Sequence, residues 1–221
     1  MSEEIINRRF QLSSFQIIIL GFAGVILLGA LLLMLPISTQ KGCITPFNEA
    51  LFTATSAVCV TGLVLHDTGS YWSAFGQTII LTLIQIGGLG VVTVAASFAL
   101  LSRRRISLMQ RTTMQDAISA PNVGGIVRLT KFILWGTFLI EMIGALAMLP
   151  VFCRYYGWHG IWLAAFHSIS AFCNAGFDIL GNADNLYPSL TGYAQNPIIN
   201  ITIMLLIIIG GIGFLTWEDI W

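Results

Sequence analysis

The polar groups best suited to chemistry in this chain are main-chain carbonyl oxygens. The segment Val-Cys-Val-Thr-Gly-Leu at 58–63 follows a short apolar stretch and contains a glycine. The surrounding pattern recurs 114 residues later without a gap, so that Gly62 corresponds to Gly176. Glycine adopts backbone angles that aim successive carbonyls in one direction at little steric cost. Carbonyl oxygens arranged in this way can replace the hydration shell of a cation.

The side chains give little support for an enzyme. The four cysteines form no Cys-x-x-Cys pair, and the three histidines lack the spacing of zinc ligands. His66 and Asp67 are a lone adjacent pair, and no nucleophile lies in a recognisable motif. We therefore predict no enzyme and no covalent cofactor. Cys43 and Cys153 could form a disulfide on the external side, although their spacing does not demand one.

The composition indicates a protein of the lipid bilayer. Hydrophobic residues make up 56% of the chain and charged residues only 9%, whereas soluble domains contain about 25% charged residues. Ten basic and ten acidic residues cancel, which leaves no basic face for nucleic acid. A helix needs about 20 apolar residues to cross a bilayer. Four stretches meet that length, at 17–36, 76–101, 132–151 and 197–217.

The basic residues predict the orientation of these four spans. Eight of them flank one end of the spans and two flank the other. Because basic loops remain in the cytoplasm, we predict a multi-pass protein of the plasma membrane with both termini cytoplasmic. The cytoplasmic residues are Arg8, Arg9, Arg103, Arg104, Arg105, Arg111, Arg128 and Lys131, and the external ones are Lys41 and Arg154.

A short apolar helix is predicted between the first two spans. Thr45 is its expected N-cap, Pro46 its first residue, and Glu49 lies in its first turn. The helix should end near Ala57, and a helix of about 12 residues reaches only ~18 Å. We predict a re-entrant half-helix. Non-helical backbone at membrane depth needs protein or a water-filled cavity around it, so the segment that follows should line a cavity.

The whole pattern occurs twice. Met34-Leu35-Pro36 recurs as Met148-Leu149-Pro150, and the glycine run at 86–90 recurs at 209–213 with a shift of 123 residues. The second copy therefore carries nine extra residues after its half-helix. Because each copy begins and ends on the same side, the copies are parallel repeats. We predict an all-α membrane protein of four transmembrane helices and two pore half-helices, with repeats at 1–101 and 128–221 and a cytoplasmic linker at 102–127.

These residues resemble the Trk/Ktr/HKT superfamily of potassium transporters, and most closely the bacterial Ktr-type membrane subunit. The resemblance rests on segments 56–63 and 170–178 and on both glycine runs, and it covers nearly the whole chain. It implies potassium uptake, with sodium as a stimulating ion by analogy with the Ktr type. It also implies a K⁺ filter of main-chain carbonyls, formed by Cys59, Val60, Thr61 and Gly62 together with Cys173, Asn174, Ala175 and Gly176, among which Val60, Thr61, Asn174 and Ala175 are favoured.

The resemblance implies partners as well. Family members place four such units around one pore, pair as homodimers and carry a cytosolic nucleotide-binding regulatory ring. Only two units are present here, so we expect a half-length piece whose pore is closed by the remaining two repeats or by a second copy. The alternative function is a non-conducting membrane scaffold or a truncated fragment of such a transporter. One glycine per repeat predicts weak discrimination of potassium from sodium.

The glycine runs have two interpretations. They lack the lysine of a phosphate-binding loop, and we predict that they lie inside uninterrupted spans. Close helix packing is the favoured interpretation. The alternative is a flexible gate below the filter, for which the candidates are Gly87, Gly88, Gly90, Gly210, Gly211 and Gly213.

Two carboxylates and the linker complete the candidates. Glu141 lies in the middle of the third span and should face the protein interior, protonated or paired; a structural hydrogen bond is favoured over an ion site. Asp178 follows the second predicted filter segment, where it either concentrates cations at the external mouth or is a solvated loop carboxylate. The arginine-rich linker should anchor the topology on anionic lipid, and the resemblance adds contact with the regulatory ring.

Overall fold

The computed structural model describes residues 13–90, 93–94, 126–214 and 216–217. These ranges are helical and contain no named strand. Three predicted features lie outside the described residues. They are residues 102–125 of the predicted linker, the arginines before residue 126 and the end of the second span up to residue 101. The helices are α1 (Ser14–Leu33), α2 (Phe47–Val58), α3 (Thr68–Tyr71), α4 (Ala74–Leu89), α5 (Ile126–Tyr156), α6 (His159–Phe172) and α7 (Pro197–Ile212), with 3-10 turns at Pro36–Ser38 and Thr191–Tyr193.

Two of the described helices, α1 and α5, are long and apolar enough to cross a bilayer. Helix α1 ends three residues before the predicted limit of the first span. The Ser38 hydroxyl donates to the carbonyl of Leu32 at 2.7 Å and so satisfies a group of the last turn. Helix α5 exceeds the predicted third span at both ends and continues through Pro150. The equivalent prolines therefore begin a 3-10 turn in one copy and lie within a helix in the other.

The second and fourth predicted spans are shorter in the described residues. Helices α4 and α7 have 16 residues each. The prediction that the glycine runs lie in uninterrupted spans is wrong, since α4 ends before Gly90 (φ 81°) and α7 ends before Gly213 (φ 91°). A left-handed glycine is a common helix end. Helical structure is present again at residues 93–94 and 216–217, so the helix is interrupted at each glycine.

The short helix α2 has the predicted length of 12 residues and ends one residue after Ala57. Its predicted N-cap is wrong, because the helix begins at Phe47 with Pro46 as the capping residue. The hydroxyl of Thr45 lies 3.1 Å from the hydroxyl of Tyr71 and so bonds to another part of the chain. Glu49 lies in the first turn, as predicted.

The helices pack in two similar groups. In one group α1, α2 and α4 contact each other, and in the other α5, α6 and α7 do so. Helices α4 and α6 connect the groups, and there the Trp162 indole donates to the Gln77 side chain at 2.8 Å. Large apolar side chains such as Leu28, Leu139 and Ile208 are mostly exposed. An outward apolar surface of this kind suits lipid rather than water.

Glycines allow the long helices to approach the ends of the short ones. A Cβ atom at Gly87 would overlap the carbonyl of Val58 in the last turn of α2. A Cβ atom at Gly210 would overlap the carbonyl of Phe172 in the last turn of α6. Close helix packing, the favoured interpretation of the glycine runs, is confirmed at these two positions.

Replacement of Gly87 by alanine tests this packing. Because the new methyl group would meet backbone rather than a movable side chain, we expect Gly87→Ala to destabilise the fold by about 1–3 kcal/mol. The measurement is the temperature at which the detergent-solubilised protein loses its monodisperse peak. The control is Gly24→Ala in α1, where no atom lies within 4 Å of the new Cβ. A Gly87→Ala variant as stable as this control would contradict the packing account.

Candidate functional site

Helix α2 ends in a left-handed turn. Cys59 is the C-cap, and the following residue, Val60, has φ 57°. The amide of Val60 donates to the carbonyl of Ala57 at 3.3 Å, and the amide of Thr61 donates to the carbonyl of Ser56 at 3.0 Å. This pair of hydrogen bonds is a Schellman motif, which satisfies carbonyls that the helix leaves without an internal partner.

Helix α6 ends in the same motif. Asn174 has φ 59°, and its amide donates to the carbonyl of Ala171 at 3.0 Å. The amide of Ala175 donates to the carbonyl of Ser170 at 2.7 Å. The two predicted filter segments therefore leave their helices with the same backbone geometry.

The left-handed residues differ in cost. A left-handed conformation costs a residue with a Cβ atom about 1–2 kcal/mol, and a β-branched residue such as Val60 is an uncommon choice for it. Asn174 tolerates the conformation better, and its side-chain amide donates to the carbonyls of Phe172 and Ile207, both at 3.3 Å. Backbone strain that persists at a site is a reason to look for function there.

Glycines continue both segments with positive φ. Gly62 has φ 72° and Gly176 has φ 71°, so left-handed backbone recurs two residues after each turn. A Cβ atom at Gly62 would lie 2.6 Å from the carbonyl oxygen of Ala175. The structure thus brings the two segments into direct contact, although 114 residues separate them in sequence.

The eight predicted site residues differ in exposure. The side chain of Thr61 is exposed and donates to the Ser56 hydroxyl at 2.9 Å. Ala175 is buried between the segments. The other exposed members are Cys59, Asn174 and Gly176, and Val60, Gly62 and Cys173 are partly buried.

A polar chain lies behind the second segment. A Cβ atom at Gly88 would lie 2.6 Å from the Cys173 sulfur, which is 4.0 Å from the side-chain oxygen of Gln85. The amide of Gln85 donates to Glu141 at 2.9 Å, and Glu141 is buried. The predicted structural hydrogen bond of Glu141 is confirmed.

Asp67 connects the two copies. It lies in the chain that follows the first predicted filter segment. Its buried carboxylate accepts from the amide and hydroxyl of Ser70, both at 2.7 Å, and from the amide of Tyr187 at 2.9 Å. The hydroxyl of Tyr187 donates to the carbonyl of Leu65 at 3.1 Å. The loop of the second copy that contains Tyr187 is therefore hydrogen-bonded to the first copy just beyond its predicted filter segment.

A hydrogen bond between side chains supports the first segment. The Nε2 atom of His66 lies 2.7 Å from a carboxylate oxygen of Glu49, and the His66 ring stacks on Tyr71 with ring centroids 3.9 Å apart. The pair joins the first turn of α2 to the chain that follows the site. A cavity of about 590 Å³ lies beside it, lined in part by Lys41 and Asn182.

Asp178 is partly buried in the segment after α6. Its carboxylate accepts from the amide of Leu180 at 3.1 Å. Burial raises the pKa of Asp178 above the value of an exposed carboxyl, and the nearby Asp67 raises this pKa further. Asp178 is therefore not fully exposed to solvent. No basic side chain is among the groups that shift its pKa.

The cysteines and the metal-ligating side chains of the described residues form no further site. All four cysteines are free, so Cys43 and Cys153 are not joined by a disulfide. No three metal-ligating side chains cluster anywhere in the described ranges.

Together, the apolar helices and their exposed apolar surface define a helical membrane protein in which two matching left-handed turns meet. The chain belongs to the TrkH family, described as cation transport proteins, which matches residues 6–220. The resemblance to the Trk/Ktr superfamily is thereby confirmed. The family transports cations and is not an enzyme family, in agreement with the prediction from the side chains.

Several curated relatives are similar to this chain. The potassium/sodium uptake protein NtpJ of Enterococcus hirae is 42% identical over 213 residues, which are 96% of this chain and 46% of that protein. The Ktr system potassium uptake protein B of Bacillus subtilis is 42% identical over 93% of this chain and 44% of its own length. Its namesake in Vibrio alginolyticus is 37% identical over the same shares. The chain spans a little less than half the length of these relatives.

Sequence reasoning missed the supports around the site. Ser56 and Ser170 recur with the 114-residue shift, which was a usable signal, but neither was assigned a role. The Asp67 to Tyr187 contact joins residues 120 positions apart and leaves no local pattern. The left-handed Val60 contradicts the usual preference of its residue type, so no sequence rule would have proposed it.

The cost of the left-handed turn can be measured at Asn174. Both Asn174→Val and Asn174→Gly remove the side-chain hydrogen bonds, but only valine adds strain at φ 59°. We expect Asn174→Val to be less stable than Asn174→Gly by about 1 kcal/mol. Thermal unfolding in detergent measures the difference. Equal stability of the two variants would show that position 174 does not hold a left-handed backbone.

The raised pKa of Asp178 predicts a pH-dependent stability. Because the folded state favours the protonated carboxyl, ionised Asp178 destabilises the fold once the pH exceeds both its unfolded and its folded pKa. Asp178→Asn retains an oxygen for the Leu180 amide and should raise the unfolding temperature at pH 7. The gain should disappear as the pH falls below about 4, where exposed carboxyls are protonated. Asp184→Asn, in the same segment but exposed, is the control; a gain equal to that of this control would contradict the effect of burial.

Proposed function

We propose that this chain forms half of a potassium pathway through the membrane, with main-chain carbonyls of 59–62 and 173–176 as the ion ligands. The observation that carries the proposal is the matched pair of left-handed turns, at Val60 with Gly62 and at Asn174 with Gly176, meeting where Gly62 contacts Ala175. An apolar packing role would require neither turn. Carbonyls that are freed from helical hydrogen bonding are suited to replace the water around a cation.

The electrostatics of the short helices support a cation as the cargo. Helices α2 and α6 both end at the site, and the carboxyl end of a helix carries partial negative charge. Two such ends favour a cation over an anion without a fixed carboxylate. Asp178 lies beyond the second segment, where we propose that it faces the external mouth.

The names of the relatives support potassium as the ion and sodium as a second ion. Two relatives are named as Ktr system potassium uptake proteins, and NtpJ is named as a potassium/sodium uptake protein. We infer that this chain takes part in potassium uptake linked to sodium. This chain matches less than half of each relative, so the activity of a complete transporter is part of the proposal.

The architecture that we propose has two parallel repeats, at 1–101 and 128–221, each made of a span, a re-entrant pore helix and a second span. Helices α2 and α6 are the pore helices. The exposed face of the site would be closed by the remaining two repeats or by a second copy. In the complete assembly we propose a homodimer with both termini cytoplasmic and a nucleotide-binding ring near the linker at 102–127.

The glycine runs are proposed to gate this pathway. Helices α4 and α7 end at Gly90 and Gly213, each three residues past its contact with a pore helix. Gly88 abuts Cys173 of the other copy, so a movement of α4 would be transmitted to the second filter segment. In such a movement, Gly87, Gly210 and Gly211 would be the positions at which the long helices contact the pore-helix ends and the residues that follow them.

The test of the proposal is Gly62→Ala in the intact gene product, expressed in a bacterial strain that lacks its own potassium uptake. The added methyl group would lie 2.6 Å from the Ala175 carbonyl and strain a backbone at φ 72°, so we expect at least a tenfold loss of potassium uptake with normal amounts of protein in the membrane. Growth at low potassium and cellular potassium content measure the effect.

Gly42→Ala is the matched control. Gly42 also has positive φ, but no atom lies within 4 Å of its added Cβ, so this variant should retain uptake. Absence of potassium uptake by the wild-type protein would instead favour the non-conducting scaffold. Full uptake by Gly62→Ala would remove the carbonyl site from the proposal.

A further inference from the structure

Two serines occupy equivalent positions beneath the site. Ser56 and Ser170 lie three residues before the C-caps of α2 and α6, and both side chains are almost completely buried, at 4% and 3% exposure. Their carbonyls also accept a hydrogen bond of each Schellman motif, from the amide five residues later in the chain. Both hydroxyl groups also bond to the segment that follows.

The second copy has the longer support. The Ser170 hydroxyl donates to the carbonyl of Phe177 at 2.7 Å and so spans the entire predicted filter segment. Phe177 itself is buried. Because the Phe177 carbonyl accepts this hydrogen bond, it is not among the carbonyls that we propose as ion ligands, which end at Gly176.

The first copy has a shorter support. The Thr61 hydroxyl donates to the Ser56 hydroxyl at 2.9 Å. The position equivalent to Thr61 is Ala175, which has no hydroxyl group. This difference explains why Ser170 bonds further along the chain.

The space beside the Cα atom of Gly176 is open. A Cβ atom at Gly176 would come within 4 Å of only one atom, the Cα of Gly62, at 3.7 Å. Glycine is also the residue with the greatest backbone freedom. The hydrogen bond from Ser170 to Phe177 is therefore one restraint on the backbone next to the Gly176 carbonyl.

We propose that Ser170, and in the first copy Ser56, are positioning residues that set the preference of the site for potassium over sodium. The inference depends on the proposed potassium pathway and deepens it. Selectivity depends on the size of the carbonyl cage and on the field and number of its oxygens. Loss of a buried support lets the carbonyls move closer to a smaller ion, which weakens discrimination against sodium.

Ser168 provides a matched control in the same helix. It is completely buried, and its hydroxyl donates to a main-chain carbonyl, that of Glu141, at 2.6 Å. Ser168→Ala and Ser170→Ala therefore remove the same chemical group, the same kind of hydrogen bond and a similar buried volume. They differ in the acceptor of the hydrogen bond. The acceptor of Ser170 directly follows the predicted filter segment, whereas the acceptor of Ser168 lies in α5.

The experiment compares both variants in the intact gene product, with the transport of potassium and of sodium measured separately in the uptake-deficient strain. Loss of one buried hydrogen bond corresponds to a change of about three- to tenfold. We expect Ser170→Ala to lower the ratio of potassium to sodium transport by that factor. Ser168→Ala should leave the ratio at the wild-type value, even where it lowers the amount of protein in the membrane.

The outcomes separate this inference from the proposed function. Equal ratios for Ser170→Ala, Ser168→Ala and wild type would overturn the inference while leaving potassium transport intact. Wild-type protein without potassium transport would overturn the proposed function and the inference with it. If Ser170→Ala does not reach the membrane, Thr61→Val removes the support in the first copy with little change of shape, and an unchanged ratio in that variant overturns the inference.

Discussion

The structure depends on one constraint, which is that main-chain polar groups surrounded by apolar helices need hydrogen-bond partners. Helices α2 and α6 end within the packed part of the molecule, where their last carbonyls lack helical partners. The left-handed turns at Val60 and Asn174 satisfy part of this demand by returning two amides to each helix. The carbonyls that follow are left available, and this availability gives the site its affinity for a cation in the proposed function.

The packing of the long helices follows from these helix ends. Since the last carbonyls of α2 and α6 must be enclosed without bulky side chains, α4 and α7 approach them with Gly87 and Gly210. The same glycine runs end both helices at Gly90 and Gly213. Close contact and the helix ends therefore arise from one sequence feature. A gate placed there would act directly on the ends of the short helices.

The sequence predicts the parts that depend on composition and repetition, and misses those that depend on distant contacts. Apolar length located α1 and α5, and the cost of a charge in an apolar span predicted the hydrogen bond of Glu141. Capping preference failed at Thr45 because Tyr71, 26 residues away, is the partner of its hydroxyl. Hydropathy could not detect the helix end at Gly90, since glycine is compatible with both a helix and a left-handed break.

The two copies share a backbone plan but stabilise it with different chemistry. The hydrogen-bonded pair of Glu49 and His66 in the first copy corresponds to Leu163 and Leu180 in the second, which are buried and apolar. Asp67 corresponds to Gly181, and a Cβ atom at Gly181 would overlap the Asp67 carboxylate, so the small residue of one copy makes room for the acid of the other. In the proposed function each half of the site has its own supports, so a substitution in one copy would alter its carbonyls without an equal change in the other. A site built from unequal halves can therefore be tuned one segment at a time, which an assembly of identical subunits cannot do.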